Sequence, residues 1–337
     1  MRPRRIGLPA AAAATSLLLG ACADAPSGGG PGAGSAATGS ASTAFSPVTL
    51  TNCGVRVTVE APPRRLVTLN QGATEVALAL GLQDRMAGTA YLDDEVSAKY
   101  AAAYRSVPVL AKEYPTKEQF VAAKPDFAYA AYASAFDAKA IGTRAELAGK
   151  RIGSYLSPFG CPKGTPAAAP TFDSAWREIT DVGSVFGIRD KAEGVVDAQR
   201  SELATVRSTA AGKGTTVLWY DSGEKTPFVG AGKGGPQLVM DAVGARNVFA
   251  GLPGGWADGS WEKVVAADPD VIVLADASWS TADAKKKYLR ADPVLRKLTA
   301  VKRNRFVVLP FSETTPGVRL VDGAKAVSDQ LTALPAT

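Results

Sequence analysis

Histidine occurs nowhere in the 337-residue sequence. Ser-His-Asp and Cys-His catalysis are therefore excluded, and so is a metal centre built from imidazole ligands. Carboxylates could still support hydrolysis; the candidates are Asp93, in an acidic loop, and Asp221, at the end of a predicted strand. We expect no metal and no resident cofactor.

Cys22 stands at a place where its thiol could be chemically modified. The chain starts with three arginines, continues with a mainly apolar stretch at 6–19, and then reads Leu-Gly-Ala-Cys up to Cys22. Small residues before a cysteine, after such a segment, are typical of the bacterial lipoprotein box. We expect 1–21 to be a lipoprotein signal peptide and Cys22 to carry lipid. The alternative is an ordinary signal peptide that is cut elsewhere.

The segment after Cys22 cannot build a core. Residues 24–45 are almost entirely Gly, Ala, Ser, Thr and Pro, nearly without charge. Such a composition favours a disordered tether, which we assign to 22–46. The folded body would then sit on the extracytoplasmic face of the cell membrane, held there by acyl chains.

Two cysteines remain if Cys22 is lipidated, namely Cys53 and Cys161. Outside the cytoplasm, an even pair favours a disulfide. It would link the first strand region to the end of the first lobe. Two separate thiols are the alternative.

Aromatic side chains at the ends of predicted strands are candidates for ligand binding, because ligands of parallel α/β sheets lie beyond the carboxyl ends of the strands. Each of them could instead be a core residue. They are Tyr91, Tyr132, Tyr220, Phe228, Trp279 and Phe311.

The elements that must position these residues alternate between short strands and short helices. This alternation predicts parallel sheets covered by helices on both faces. We assign an N-terminal α/β lobe to 47–170, a helical segment to 171–213 and a C-terminal α/β lobe to 214–337. The formal charge of +6 includes three leader arginines and does not indicate a nucleic-acid surface.

One long helix is predicted at 190–211, between the lobes. Its apolar residues lie close to one face with a period of 3.6. Asp190, with Glu193 three residues later, is typical of a capping box, and Gly212 would end the helix. A surface helix of one domain is the alternative to an inter-lobe connection.

A short repeat flanks this helix. Residues 118–127 and 262–271 both read E-x-[FV]-V-A-A-x-P-D-apolar. Each copy predicts a short helix, a Pro-Asp break and a buried strand. Two similar units on either side of one helix indicate two similar lobes.

Four stretches, at 65–82, 118–127, 256–273 and 316–319, make the chain resemble the substrate-binding lipoproteins of iron-siderophore and cobalamin ABC importers. The last stretch reads Pro316-Gly-Val-Arg319. The resemblance covers 65–337. It implies two Rossmann-like lobes with parallel sheets, joined by one long rigid helix, with the ligand in a shallow cleft between them.

The resemblance also implies roles for single residues. Glu118 and Glu262 match the lobe-tip glutamates that meet arginines of the permease. Trp256 matches a tryptophan of the family's cleft. Lys112 stands where a relative has an aromatic residue. Arg319 would bind polar groups of the ligand together with Glu313, or the two would pair with each other.

The function implied is that of a monomeric, membrane-anchored binding protein that delivers a ferric siderophore to an ABC permease and its ATPase. Acidic and aromatic loops favour a hydroxamate-type chelate over an anionic catecholate. Cobalamin or another bulky cofactor is the nearest alternative. A different class, an extracytoplasmic hydrolase that uses Asp93 or Asp221, also stays open.

Overall fold

The computed structural model describes residues 45–165, 169–315 and 317–335. The expected signal peptide, Cys22, nearly all of the tether and Pro316 lie outside these ranges. Phe45, at the end of the expected tether, is partly buried beside Gly187 and Pro62. The folded body therefore includes Phe45. No helix of the described part is long and apolar enough to cross a bilayer.

The N-terminal lobe is a five-stranded parallel sheet preceded by a hairpin. The strand order in the sheet is β5-β4-β3-β6-β7. The elements are β1 (Val48–Asn52), β2 (Val55–Val59), β3 (Leu66–Leu69), α1 (Gln71–Ala79), β4 (Met86–Ala90), α2 (Ala101–Tyr104), β5 (Val109–Ala111), α3 (Lys117–Ala122), β6 (Phe127–Ala130), α4 (Arg144–Gly149) and β7 (Gly153–Leu156).

Two helices connect this lobe to the next, α5 (Phe172–Val185) and α6 (Arg189–Thr209). The long helix is present, but Asp190 does not cap it. The capping position is Ile188, Asp190 lies in the first turn, and Glu193 pairs with Arg189 at 2.8 Å. The helix ends at Ala210, which adopts a left-handed conformation before Gly212 is reached.

The C-terminal lobe contains a six-stranded sheet of order β11-β9-β8-β12-β13, with β10 also paired to β8. Most of this sheet is parallel, but β9 runs antiparallel to both of its neighbours. The elements are β8 (Thr216–Ser222), β9 (Phe228–Gly230), α7 (Gly235–Val243), β10 (Arg246–Asn247), β11 (Trp256–Asp258), α8 (Trp261–Ala267), β12 (Val271–Asp276), α9 (Ala282–Ala291), α10 (Thr299–Lys302), β13 (Phe306–Pro310) and α11 (Leu320–Ala333).

The repeated Pro-Asp break plays the same structural part in both lobes. Asp126 accepts a hydrogen bond from the backbone N–H of Arg65 at 2.9 Å, just before β3. Asp270 accepts one from the N–H of Thr216 at 2.7 Å, at the start of β8. In each lobe the strand that follows the Pro-Asp break pairs in parallel with the strand that this aspartate contacts: β6 with β3, and β12 with β8. The repeat therefore sets the same strand neighbours twice.

One hydrophobic core runs through both lobes and along α6. The helix buries Ala192, Val196, Leu203 and Val206 in it, and α5, α7 and α11 pack against α6. Separate clusters fill the outer faces of the two sheets. Because the inner core is continuous, the helix holds the lobes at a nearly fixed separation.

A disulfide joins Cys53 to Cys161, with the two Cα atoms 5.3 Å apart. Cys53 and Gly54 form the turn of the β1–β2 hairpin, and both have positive φ angles, as a two-residue hairpin turn requires. The bridge ties this hairpin to the segment that follows β7.

Candidate functional site

Three aromatic side chains of the C-terminal lobe come together beside the cleft, and we call them the aromatic cluster: Trp256, Trp279 and Phe311. The ring centroids of Trp279 and Phe311 are 4.9 Å apart, and those of Trp256 and Phe311 are 6.3 Å apart. Trp279 follows β12 and Phe311 follows β13, so both stand beyond the carboxyl ends of parallel strands. Trp279 is 55% exposed, so part of its ring is accessible to a ligand.

Trp256 is the first residue of β11. Its ring is partly buried. The indole nitrogen Nε1 is buried, with no hydrogen-bond partner among the described residues. A buried N–H without an acceptor is costly, and a ligand oxygen could satisfy it.

The N-terminal lobe contributes a second group, the tyrosine cluster of Tyr91, Tyr114 and Tyr132. The rings of Tyr91 and Tyr114 meet edge to face, with centroids 4.6 Å apart. The Tyr114 hydroxyl is hydrogen-bonded to Asn70 and Ser134. Burial raises the pKa of Tyr132, and the nearby carboxylates of Asp93 and Asp221 raise it further. Tyr132 therefore keeps its proton, and carboxylates of both lobes contribute to this.

Tyr114 was not among the candidates from the sequence, which on this side of the cleft considered only Lys112. Lys112 is exposed, and Tyr114, two residues later, supplies the aromatic ring on this side. A signal was available, since Tyr114 follows β5 and precedes Pro115, at the carboxyl end of a parallel strand.

Arg319 lies at the base of the cleft among three carboxylates. Its guanidinium is 2.7 Å from Glu313, 3.5 Å from Glu75 and 3.6 Å from Asp94. Burial opposes the charge of Arg319, but the carboxylates outweigh it and raise its pKa. Burial also raises the pKa of Glu75, although Arg319 pulls it the other way. We call these four residues the ion cluster.

The ion cluster joins the lobes, because Glu75 and Asp94 belong to the first lobe and Glu313 and Arg319 to the second. The backbone N–H of Ser312 also donates to Asp94 at 2.9 Å. Close by, Gly317 has a φ of +146°, and a Cβ there would come within 3.3 Å of Gly72 in α1. The loop that carries Phe311 thus rests directly on the first lobe.

A pocket of about 600 Å³ opens next to this contact, between the two lobes. Four carboxylates and one guanidinium line it: Asp94, Glu95, Asp276, Glu313 and Arg319. The pocket is therefore net acidic and suits a neutral or cationic group. Within the described ranges, no group of three or more Cys, Asp and Glu residues is arranged to hold a metal ion.

Comparison with known proteins decides the family. A family model described as "Periplasmic binding protein" matches residues 66–313. This chain belongs to that family. An uncharacterized ABC transporter substrate-binding lipoprotein of Bacillus subtilis, YvrC, is 24% identical over 97% of each chain.

Two solved structures resemble this binding protein over most of its length. A periplasmic binding protein from Veillonella parvula is 30% identical with a TM-score of 0.75, over 86% of this chain and 99% of the other. An ABC-type Fe³⁺-hydroxamate transport system from Saccharomonospora viridis is 26% identical with a TM-score of 0.71, over 84% and 98%. The two-lobe α/β fold expected from the sequence is confirmed.

Tyr220 is not in the cleft of this binding protein, contrary to expectation. It is 1% exposed, its ring meets that of Trp261 edge to face with centroids 5.2 Å apart, and its hydroxyl donates a hydrogen bond to the carbonyl of Gly223. The reason is that Tyr220 lies inside β8, where its side chain points into the outer core instead of beyond the strand end.

Phe228 and Arg319 agree with the sequence-based expectation only in part. Phe228 is 37% exposed, opposite Asp258 at the start of β9, and the ring contacts among the described residues do not join it to the aromatic cluster. Arg319 and Glu313 pair with each other, the second of the two arrangements considered. Trp176 is buried on α5.

The two carboxylates considered for hydrolysis lie in different lobes of the binding protein. Burial, and then the charge of Asp94, raises the pKa of Asp93 to about 6. Burial also raises the pKa of Asp221, which accepts a hydrogen bond from Ser222 at 2.9 Å. The charges of both raise the pKa of Tyr132, so both lie within electrostatic reach of its hydroxyl.

Glu118 and Glu262 are exposed in the first turns of α3 and α8, at equivalent places in the two lobes. Hydrogen bonds from its own backbone and from Thr116 lower the pKa of Glu118. The hydroxyl of Ser260, with the backbone, does the same for Glu262. Both carboxylates are therefore held ionised.

Proposed function

We propose that this chain is the substrate-binding lipoprotein of an ABC importer and that it captures a ferric siderophore of the hydroxamate type. The Bacillus subtilis relative is named an ABC transporter substrate-binding lipoprotein. The Saccharomonospora viridis protein is described as part of an Fe³⁺-hydroxamate transport system. Both likenesses extend over most of the chain, which supports the same role here.

One observation carries the proposed ligand class, namely that a net acidic pocket opens between two lobes whose strand ends carry aromatic rings. The aromatic cluster and the tyrosine cluster offer broad surfaces to a bulky, partly apolar ligand. The four carboxylates of the pocket against one guanidinium would repel a highly anionic catecholate. A neutral or cationic hydroxamate chelate pays no such electrostatic penalty, and its oxygens could accept hydrogen bonds from tyrosine hydroxyls.

The proposed partners follow from this role. Glu118 and Glu262 would meet arginines of the permease, whose ATPase then drives transport. Lipid on Cys22 would hold the protein on the extracytoplasmic face of the membrane, and the tether would let a monomeric body reach the permease. A diacylated N-terminal peptide, found by mass spectrometry of the membrane fraction, tests this anchor. An unmodified Cys22 on an intact leader would contradict it.

Cobalamin binding is the alternative within this class, and carboxylate-dependent hydrolysis with Asp93 or Asp221 is the alternative outside it. A titration of tryptophan fluorescence with ferric hydroxamates, ferric catecholates and cobalamin separates them. We expect saturable one-to-one quenching by a ferric hydroxamate that is recovered chemically unchanged. Quenching by catecholate or cobalamin alone would refute the ligand class, and conversion of the ligand to products would refute a binding role.

A further inference from the structure

Exposed hydrophobic side chains occur at both lobe tips. Among the described residues, seven large hydrophobic side chains are exposed, and three of them are the tip residues Val121, Val265 and Val294. Their exposed fractions are 48%, 40% and 51%. A cluster of exposed apolar side chains on a soluble body marks a contact surface.

Val121 and Val265 occupy the same position in the two copies of the repeat. Each follows the tip glutamate by three residues, which is nearly one helical turn, so valine and carboxylate lie on the same side of the helix. Both tips thus present a charge next to an apolar side chain. A partner that fits such a tip has a basic residue beside an apolar one.

The second tip adds a groove to this pair of glutamate and valine. The groove has a volume of about 490 Å³, and Glu262 stands at its rim. Its walls are mostly apolar, with one further carboxylate, and consist of Trp261, Val265, Ala266, Tyr288, Asp292, Val294 and Leu295.

The floor of this groove is held in place by hydrogen bonds. Trp261 donates its indole N–H, and Tyr288 its hydroxyl, to the carbonyl of Glu224, at 2.6 and 2.7 Å. The two ring centroids are 5.9 Å apart. The rings are therefore ordered before any partner arrives, so binding in the groove loses little side-chain entropy.

The first tip is polar at the corresponding place. Lys117 stands where the second copy of the repeat has Trp261, and it pairs with Glu146 at 3.3 Å. An apolar group that enters beside Glu262 would meet aromatic rings, whereas beside Glu118 it would meet an ion pair. Both tips therefore carry an exposed glutamate, but the second has aromatic rings beside it where the first has an ion pair.

We propose that the groove beside Glu262 receives an apolar side chain of the importer's transmembrane subunit, next to a basic residue that meets Glu262. The C-terminal tip then anchors the complex, and the N-terminal tip orients it. This inference rests on the proposed function, because it assigns the surface through which the protein would dock. Continuity of the groove with the docking glutamate supports this occupant.

The test measures binding of the full mature chain, carrying Cys22→Ser to remove the anchor, to nanodiscs that contain the cognate importer. Val265→Ser and Val294→Ser should each weaken binding about five- to tenfold, the range for loss of a well-buried interface contact. Val121→Ser should weaken it less. The matched control is Val55→Ser, a valine of the β1–β2 hairpin that is 38% exposed, and it should bind like the parent.

Salt separates the apolar contact from the charged one. Raising the salt concentration should shrink the effect of Glu262→Gln, because ions screen exposed charges, and should leave the effect of Val265→Ser in place. This inference would be overturned if Val265→Ser and Val294→Ser bind within twofold of the parent while Glu262→Arg abolishes binding. The proposed function would be unaffected by that result. If the parent protein itself fails to bind the importer, both fall.

Two further measurements test the alternative occupants of the groove, a lipid and a second copy of this chain. Binding of the parent to empty nanodiscs that is lost in Val265→Ser would assign the groove to lipid. A dimer in light scattering that is lost in the same variant would assign it to a second copy of this chain. Either result would overturn the proposal. A monomeric protein that does not bind empty nanodiscs would support it.

Discussion

The N-terminal lobe borders the cleft with tyrosine hydroxyls, whereas the C-terminal lobe borders it with indole and phenyl rings. Beneath these walls the lobes are built alike, because Asp126 and Asp270 tie equivalent strands in the same way. The difference lies in loops beyond the carboxyl ends of the strands. A duplicated scaffold can therefore offer two chemically different faces to one ligand, since the loops do not determine strand order.

The tips offer the largest expected effect and test the equivalence of the lobes. Glu118→Arg combined with Glu262→Arg should reduce uptake to background, because two carboxylates would no longer meet two arginines. Ligand affinity should stay within about twofold, since neither residue borders the cleft. Uptake of labelled ligand and fluorescence titration are the two measurements.

The matched control reverses charge elsewhere, with Glu60→Arg and Asp190→Arg, and should import normally. If the lobes contribute equally, the single tip variants will lose uptake equally. The groove beside Glu262 instead favours a larger loss for Glu262→Arg. Normal import by the double tip variant would contradict the docking assignment.

The disulfide distinguishes the N-terminal lobe from the other, so its removal should affect the two lobes unequally. Cys53→Ser with Cys161→Ser should lower the free energy of unfolding by about 4–5 kcal/mol in the chain-entropy view, because the bridged residues are 108 apart. Denaturant titration gives the total, and hydrogen exchange should show the first lobe opening more.

Reduction of the unmodified protein is the control and should reproduce the loss. Labelling under denaturing, non-reducing conditions should find no free thiol at Cys53 or Cys161. Two labelled thiols there would refute the bridge.

The hydrogen bonds that Asp126 and Asp270 accept from backbone N–H groups test whether the two lobes are stabilised in the same way. Asp126→Ala and Asp270→Ala should each lower the free energy of unfolding by about 2 kcal/mol, because each leaves backbone N–H groups without a partner. Denaturant titration of both variants measures this. A loss in one lobe and none in the other would mean that the repeat has only one structural use.

The aromatic wall can be separated from the tyrosine wall by ligand affinity. Trp256→Ala should weaken binding about tenfold, and Tyr132→Phe, which removes only a hydroxyl, by less. Fluorescence titration gives the affinities and circular dichroism checks the fold. Trp176→Phe, on α5 and away from the cleft, is the control and should bind normally. Equal affinities for Trp256→Ala and the parent would make Trp256 a structural residue.

The acidic cleft predicts the smallest effect, a pH dependence that comes from the N-terminal lobe. Asp93 has its pKa raised to about 6 by burial, so the unfolded chain releases this proton at lower pH than the folded one. Its contribution to stability is complete below about pH 4, the usual aspartate range, and is lost as the pH rises through about 6.

Asp93→Asn should therefore reduce the fall in free energy of unfolding between pH 4 and 6, by about 1 kcal/mol after allowance for solvent screening. Unfolding titrations across this range measure it. Glu95→Gln, an exposed side chain of the same loop, is the control. An unchanged slope in Asp93→Asn would place its ionisation outside this range.

Local sequence signals predicted the parts that depend on neighbouring residues. Alternating short strands and helices predicted both lobes, the 3.6-residue period predicted α6, and the repeat predicted two equivalent tips. Errors arose at boundaries: Asp190 does not cap α6, because Ile188 occupies the capping position and Asp190 is already helical. The two antiparallel contacts of β9 also had no local signal, since strand direction depends on pairing.

The site itself needed the tertiary structure. Tyr220 and Phe311 both stand near strand ends in the sequence, yet Tyr220 is buried on the outer face of the sheet and Phe311 meets Trp279 edge to face. Tyr114 enters the tyrosine cluster because packing of separate loops brings it against Tyr91.

The sequence by itself determined the two lobes, the helix between them and the placement of Glu118 and Glu262, because hydrophobic periods and turn residues act over a few positions. Which loops meet was decided only by packing of the whole chain. Arg319 finds Glu75 and Asp94 more than 200 residues away, and Val294 joins the groove of Val265 from another element. Such contacts depend on the shared core that fixes the lobes, and no local pattern records them.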